Sequence, residues 1–367
     1  MTMRIVVGMS GGVDSSVAAL LLQRAGHEVS GFFMQNWEDQ DPESGCHADA
    51  DRKDALAVCA QLGIRFHSGN FAADYRTRVF QHFLDEYRAG RTPNPDVLCN
   101  HEIKFGAFLE AVRAAGADKL ATGHYARNAF SGGRWKLLRA HDQSKDQTYF
   151  LHTLDQEQLG AAVFPLADLD KTEVRRIAAA AALPVAAKKD STGICFIGER
   201  DFRTFLSTFI PARPGALRTP EGTAVGEHQG AMFYTLGQRA GLHIGGRAAG
   251  NGEPWYVVGK AMASNTVYVD QGHASHWLQS RSLTANALHW VAGVAPAPTF
   301  QCMAMTRYRQ PPQACTVEVA GDTCRVSFEA VQRAVAPGQS VVFYRGDECL
   351  GGAVIAATDA PAIGAPA

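Results

Sequence analysis

Arg4-Ile5-Val6-Val7-Gly8-Met9, then Ser10-Gly11-Gly12-Val13-Asp14-Ser15-Ser16, then Val17-Ala18-Ala19-Leu20-Leu21-Leu22-Gln23-Arg24, is the stretch from which the fold can be read. The short apolar run predicts a buried strand and the longer one a helix. Between them lies a glycine turn rich in hydroxyls. Glycine lets a backbone approach a ligand closely, and the first N–H groups of a helix point at an anion. This order of elements suits a phosphate. The Gly-Lys-Ser/Thr ending of the Walker loop is absent. The plainer alternative is a tight turn into a helix capped by Asp14 or Ser15.

Outward from this loop the chain alternates. Strands are predicted over 28–34, 65–69 and 118–122, with helices over 49–62, 72–90 and 102–115. Val79, Phe83 and Tyr87 fall on one face of the long helix. Alternation at these lengths predicts an α/β domain, a parallel sheet covered on both faces, expected over 1–200. Ligands of such sheets bind beyond the carboxyl ends of the strands. The loop from Gly8 to Ser15, Met34, and Gly123-His124 all fall at such ends, where they can line one pocket. A hairpin is predicted around Gly132-Gly133. Dense glycines and strands at 255–258 and 266–269 predict a small α+β domain over 201–280. Short strands with turns at Gly321-Asp322 and Arg345-Gly346-Asp347 predict a β-barrel over 281–357. The Ala/Pro/Gly-rich tail, 358–367, is expected to be disordered.

A chain of 367 residues suits two or three domains. Its formal net charge of -1 means that any nucleic-acid site is a local patch rather than a global field. Eight cysteines with no C-x-x-C spacing predict individual reactive thiols in a reducing compartment, not a disulfide scaffold. No apolar stretch approaches the roughly 18 residues of a membrane span. The apolar run after Arg4 stops too soon for a signal peptide. A cytoplasmic protein without a membrane partner is expected. Cys46-His47 and Cys59 close no four-ligand spacing, so no metal site is predicted.

Two other cysteines stand in unusual surroundings. Thr92-Pro93-Asn94-Pro95-Asp96-Val97-Leu98-Cys99-Asn100 reads as a stiff loop with a helix beginning just after it. A thiol at a helix N-terminus has its thiolate favoured, and Asp96 is near enough in sequence to move protons. The alternative makes Asp96 a cap and Cys99 an ordinary buried residue. Cys195 follows Lys188-Lys189-Asp190-Ser191-Thr192-Gly193-Ile194. Its apolar neighbours favour an inert cysteine, whereas Gly193 and the two lysines favour a thiolate. The Ser-Gly-Gly-x-Asp-Ser run at 10–15 matches the pyrophosphatase loop of ATP-splitting adenylating enzymes. Two thiols beside such a loop suggest sulfur chemistry, one carrying a sulfur and the other resolving it.

The chain resembles the bacterial tRNA-specific 2-thiouridylase family. The resemblance is carried by Gly8 to Ser16, Gly90 to Asp96 with Cys99-Asn100, Ala121 to Tyr125, Lys145-Asp146-Gln147 and Lys189 to Gly198. It continues through Thr235 to Arg239, Glu253 to Val258, Thr306 to Gln310 and Pro337 to Ser340. It implies an adenine-nucleotide α-hydrolase-like first domain. It also implies that ATP, with magnesium, adenylates the C2 oxygen of the wobble uridine of tRNA. Asp14 is one candidate magnesium ligand. By the resemblance, Cys195 carries a persulfide loaded by an upstream sulfur-relay protein. Cys99 releases that sulfur and can end in a transient disulfide with Cys195, and Asp96 is the acid/base. Gly8, Met9, Ser10, Gly11, Gly12, Val13, Asp14, Ser15, Met34 and Gly123 line the ATP site. Asn94, Pro95 and Asp96 contact the base. His124, Lys145, Asp146 and Gln147 contact tRNA nearby, and Arg307, Tyr308 and Gln339 reach it from the barrel. Arginine pairing with phosphate and tyrosine stacking on an unpaired base fit that last role; the alternative for Arg307-Tyr308 is a strand pair with one solvated face. No iron–sulfur cluster is expected, since no cluster of about three cysteine ligands is visible.

Two other functions fit parts of the pattern. One is an amide-forming or nitrogen-transferring ligase with the same loop, which has no need of paired thiols. The other is a tRNA-binding protein without turnover, against which the intact loop and both cysteines count.

Overall fold

The computed structural model describes residues 2–38, 47–190, 202–244 and 252–363. The first domain is built on five parallel strands. These are β1 (Arg4–Met9), β2 (Glu28–Gln35), β3 (Arg65–Asn70), β4 (Lys119–Ala121) and, after the hairpin described below, β7 (Ala162–Val163). Their order is β3-β2-β1-β4-β7. The order therefore reverses between β1 and β4, and a crevice opens beyond their carboxyl ends. Residues 10–12 leave β1 there, and 122–124 leave β4. The apolar residues of β1 alternate into the core, with Ile5 and Val7 almost fully buried. The helix Val13–Arg24 is covered nearly all round: Val17, Ala18 and Ala19 have no exposed surface. Burying a valine side chain contributes about 1.5–3 kcal/mol, so this helix is held firmly under the glycine turn.

Two helices depart from the expected pattern. The one predicted over 72–90 runs as Ala72–Tyr75, a π-helical turn Arg76–Phe80, and Gln81–Arg88. The one predicted over 102–115 begins earlier. Pro95–Leu98 is already helical and continues into a π-type stretch, Cys99–Ala107, and then Phe108–Ala114.

The hairpin around Gly132-Gly133 forms as predicted, from β5 (Arg127–Ser131) and β6 (Arg134–Leu138). Its partner was not foreseen: β6 pairs with the last strand of the chain. The middle part carries β8 (Gly215–Arg218), β9 (Ala224–His228), β10 (Trp255–Ala261) and β11 (Thr266–Gln271) in the order β10-β11-β8-β9. The last part is β12 (Gln279–Trp290), β13 (Thr299–Met305), β14 (Gln313–Ala320), β15 (Thr323–Arg333), β16 (Ser340–Arg345) and β17 (Glu348–Thr358). These six run β12-β15-β14-β13-β16-β17, and β12–β17 pairing closes the barrel. Leu138 and Leu137 of β6 pair with Glu348 and Cys349 of β17, and Arg134 and Lys136 both meet the Glu348 carboxylate.

The expected disordered tail needs correction as far as residue 363. Asp359 accepts hydrogen bonds from the Arg281 and Ser282 N–H groups at 2.9 and 3.0 Å. Ile363 packs against the buried cluster of Tyr256, Val258, Leu278 and Ala334.

Candidate active site

The glycine turn is organised by its own hydroxyls. The Ser10 N–H donates to Ser15 Oγ at 3.1 Å, and the Ser16 hydroxyl donates to the Gly12 carbonyl at 2.8 Å. Gly12 is the N-cap residue and brings no side-chain cap, so neither Asp14 nor Ser15 closes the helix end as the plainer alternative required. The first N–H groups of the helix are thus left to an anion. Gly11 has φ +72°, and a Cβ there would lie 2.4 Å from the Asp51 carbonyl oxygen. A Cβ on Gly123 would lie 2.7 Å from Ser15 N and 2.8 Å from Asp14 C. The turn after β4 is therefore packed directly on the turn after β1. Met34 lies next to the end of β2. This uncapped helix end, cradled by two glycines that tolerate no side chain, fits a nucleotide polyphosphate.

Around the loop runs a chain of ion pairs that sequence reading missed. Asp14 accepts from the Tyr125 hydroxyl at 2.9 Å and from Lys171 Nζ at 2.7 and 2.8 Å. The same ammonium lies 2.9 Å from Asp190, which also receives Lys145 at 3.0 Å and Arg175 at 2.6 Å. Burial alone would raise the Asp190 carboxyl, but the hydrogen bonds from Lys171 and Lys145 outweigh it and hold it at about 2. Lys188 joins the Gly11 carbonyl to Asp51 and Asp54 at 3.0, 2.7 and 2.6 Å. Burial pulls its ammonium down, but those two carboxylates raise it above the ordinary lysine value. Tyr125 and Asp190 stood inside quoted motifs without a role. Lys171 and Arg175 stood in none; their spacing of four on one helix carried no sign of a partner so distant in sequence.

His124 follows directly. Its Nδ1 lies 2.8 Å from Thr122 Oγ1, and burial, aided by the Lys104 ammonium, lowers its pKa well below the histidine value. The ring is therefore neutral near pH 7. Phe105, on the Cys99–Ala107 helix, packs against it with centroids 6.1 Å apart. The cysteine helix and the phosphate turn thus meet through Phe105, His124 and Gly123.

The helix bearing Cys99 starts at Pro95, with Asn94 Oδ1 accepting from the Asp96 N–H at 3.2 Å. This corrects the expectation on two points. Asn94 is the cap rather than Asp96, and Cys99 sits one turn inside the helix rather than at its first residues. A proline at the first helical position, whose missing N–H costs nothing there, explains the earlier start. Cys99 is buried, with 1% of its surface exposed. Cys195 lies in 191–201, outside the described residues. Cys46 is outside them as well, and Cys59 is a core residue whose thiol burial pushes up to about 11.

The remaining candidates turn out to be ties between parts of the chain. Asp146 is buried, accepting from the Ala140 N–H at 3.0 Å and the Thr148 hydroxyl at 2.6 Å. Gln147 Oε1 accepts from the Tyr125 N–H at 3.0 Å, which sets the tyrosine that holds Asp14. Gln339 donates from the barrel to the Thr92 and Pro93 carbonyls at 2.8 and 3.3 Å. Thr92 Oγ1 also meets Thr235 Oγ1 of the middle part at 3.1 Å. Arg307 Nη2 donates to the Leu236 and Ala334 carbonyls at 2.7 and 2.8 Å, so it is not the solvated strand residue of the alternative reading. The Tyr308 ring lies 4.4 Å from that of Phe150. All three parts of the chain converge on the Thr92-Pro93-Asn94 turn.

Three family models match successive parts of the chain. The family model described as the tRNA methyl transferase HUP domain matches residues 3–199. The tRNA methyl transferase PRC-barrel domain model matches 203–271, and the aminomethyltransferase beta-barrel domain model matches 280–355. The chain is 60% identical over 361 residues to tRNA-specific 2-thiouridylase MnmA of Xanthomonas axonopodis pv. citri (strain 306), covering 98% of this chain and 95% of that one. It is 59% identical over 362 residues to the protein of the same name from Stenotrophomonas maltophilia (strain R551-3), with the same coverages. The domain descriptions speak of methyl transfer and the relatives of thiolation. The relatives, matched over nearly the whole chain at this identity, decide between the two. The chain belongs to the tRNA-specific 2-thiouridylase family and is a tRNA sulfurtransferase.

Proposed function

We propose that this protein replaces the C2 oxygen of the wobble uridine of tRNA by sulfur, using ATP to activate the oxygen and a persulfide on Cys195 to supply the sulfur. The observation that carries the reading is the packing of Gly123 on the Asp14–Ser15 backbone, with its neighbour His124 against the helix of Cys99. It supports a reading in which the glycine turn cradles a polyphosphate beside the helix that bears Cys99.

In this reading the turn from Gly8 to Ser15, with Met34 and Gly123, holds the nucleotide. ATP converts the uridine oxygen into a good leaving group; magnesium, when bound with the nucleotide beside Asp14, would supply charge neutralisation to the phosphates. The wobble base comes from a single-stranded loop, so it needs little unpairing to enter the pocket. Asn94, Pro95 and Asp96 contact it from the turn held by Gln339 and Thr235, and Asp96 moves the proton. His124, as a neutral imidazole, donates or accepts a hydrogen bond there without adding charge. Lys145, Asp146 and Gln147 act mostly through Asp190, Ala140 and Tyr125. Arg307, Tyr308 and Gln339 shape the face that meets tRNA. The outer sulfur of the Cys195 persulfide attacks C2 and expels AMP. Cys99 then attacks Cys195 Sγ, breaking its bond to the transferred sulfur, which leaves on the 2-thiouridine, and reductant reopens the resulting Cys99–Cys195 disulfide. A sulfur-relay protein reloads Cys195.

The test is incubation with tRNA, ATP and a small persulfide donor, followed by nucleoside mass analysis and nucleotide chromatography. A sulfur-for-oxygen exchange at uridine, with AMP and pyrophosphate formed only when tRNA is present, is expected. ADP and phosphate as products rule out the proposed use of ATP.

A further inference from the structure

The C-terminal barrel holds a second pair of thiols, far in sequence from Cys99 and Cys195. Cys302 on β13 and Cys315 on β14 are directly opposed in the antiparallel register. Their sulfurs are 3.7 Å apart, and the Cys315 thiol also faces the Cys302 carbonyl oxygen at 3.5 Å. We propose that Cys302 and Cys315 are a redox-modifiable dithiol that closes to a disulfide when the protein meets a hydroperoxide.

Geometry allows the bond without moving the backbone. Opposed residues of antiparallel strands have Cα atoms about 4.5–5.5 Å apart, inside the range of about 4.4–6.8 Å that a disulfide spans. Only side-chain rotation is needed to bring the sulfurs to bonding distance. Accessibility gives the two thiols different parts. Cys302 is half-buried, so a small oxidant reaches it, whereas Cys315 is buried. The hydrogen bond with Cys302, together with burial, raises the Cys315 thiol, which makes it the second rather than the first to react. Cys324, on β15, is buried and lies opposite Val319 and Ala285, so it is a register partner of neither. The group is not a metal centre: among the described residues no three His, Cys, Asp or Glu side chains converge to hold one.

The chemistry balances. The peroxide O–O bond breaks as one oxygen transfers to Cys302, giving a sulfenic acid and one molecule of water or alcohol. The Cys315 sulfur then attacks the Cys302 sulfur, and the S–OH bond breaks with loss of water. Two thiols are oxidised by two electrons, and the peroxide is reduced. The new bond encloses residues 303–314, the segment that carries Arg307 and Tyr308.

The test uses the full chain, reduced, freed of reductant, and treated with hydrogen peroxide. Remaining thiols are then alkylated and the protein is digested for mass analysis. The expected result is a peptide pair linked through Cys302 and Cys315, split again by reductant. It should be lost in Cys302→Ser and in Cys315→Ala, while Cys302→Ser keeps the thiolation activity of the untreated protein. Should the buried Cys315→Ala variant fail to fold, Cys302→Ser alone decides, because it must leave Cys315 alkylated after peroxide. Recovery of Cys302 and Cys315 as alkylated thiols from peroxide-treated wild-type protein overturns the proposal, as does a Cys302–Cys324 link.

Discussion

At the scale of single residues, one lysine ties the glycine turn to the end of the described first domain. Lys171 holds Asp14 of the phosphate turn and Asp190, the last described residue before the Cys195 segment, through one ammonium. Hydrogen bonds to charged groups contribute about 1.5–3 kcal/mol. Lys171→Met is therefore expected to lower kcat/KM for ATP by roughly ten- to a hundredfold. Lys171→Arg should restore part of it, and an unchanged kcat/KM for ATP in the Met variant would remove Lys171 from the nucleotide site. Cys195→Ser should abolish thiolation while tRNA binding, measured by gel shift, persists. Thiolation near the wild-type rate in that variant would end the persulfide role. Cys99→Ser should stop turnover too and prevent the internal disulfide.

At the scale of elements, two turns pack against each other with no room between them. Gly123→Ala places a methyl group against backbone atoms of Asp14 and Ser15 at under 3 Å, and backbone cannot step aside as a long side chain can. The variant should fold, since the strand before it is unchanged, yet lose most ATP turnover; wild-type turnover would mean that the two turns do not share a ligand. The strand–glycine–helix unit, the parallel sheet, the hairpin at Gly132-Gly133 and the barrel were all legible in the chain, because each is written in local periodicity and turn chemistry. The start of the Cys99 helix was misread. Asn94 and Pro95 form a cap and first turn together, and the two prolines suggested a loop instead. The ion pairs of Lys171, Arg175 and Asp190, and the pairing of β6 with β17, were out of reach. They join positions far apart in sequence, where no periodicity links the partners.

At the scale of the whole molecule, buried histidines set an acid limit on stability. Burial lowers His152 to about 4, and lowers His124 and His289 as well. An unfolded histidine takes up its proton near 6.5. Between that pH and about 4 the unfolded chain binds protons that folded His152 refuses, so stability is lost as pH falls through this window and levels off below it. Asp190 adds a second loss at lower pH, between the ordinary carboxyl value of 3.8 and about 2. Urea midpoints should therefore decline from pH 7 to pH 5, and His152→Gln should flatten the decline relative to its own value at pH 7. An equal slope in the variant would assign the acid sensitivity elsewhere.

The β5–β6 hairpin has a consequence for how the protein is made. It belongs by sequence to the part that carries the glycine turn, yet its β6 edge is completed by Glu348 and Cys349, which lie far later in the chain. A nascent chain can assemble its parallel sheet early, but the β6 edge must wait unpaired until β17 has been made. Synthesis thus imposes an order in which the parallel sheet can form first and the hairpin docks only once β17 exists.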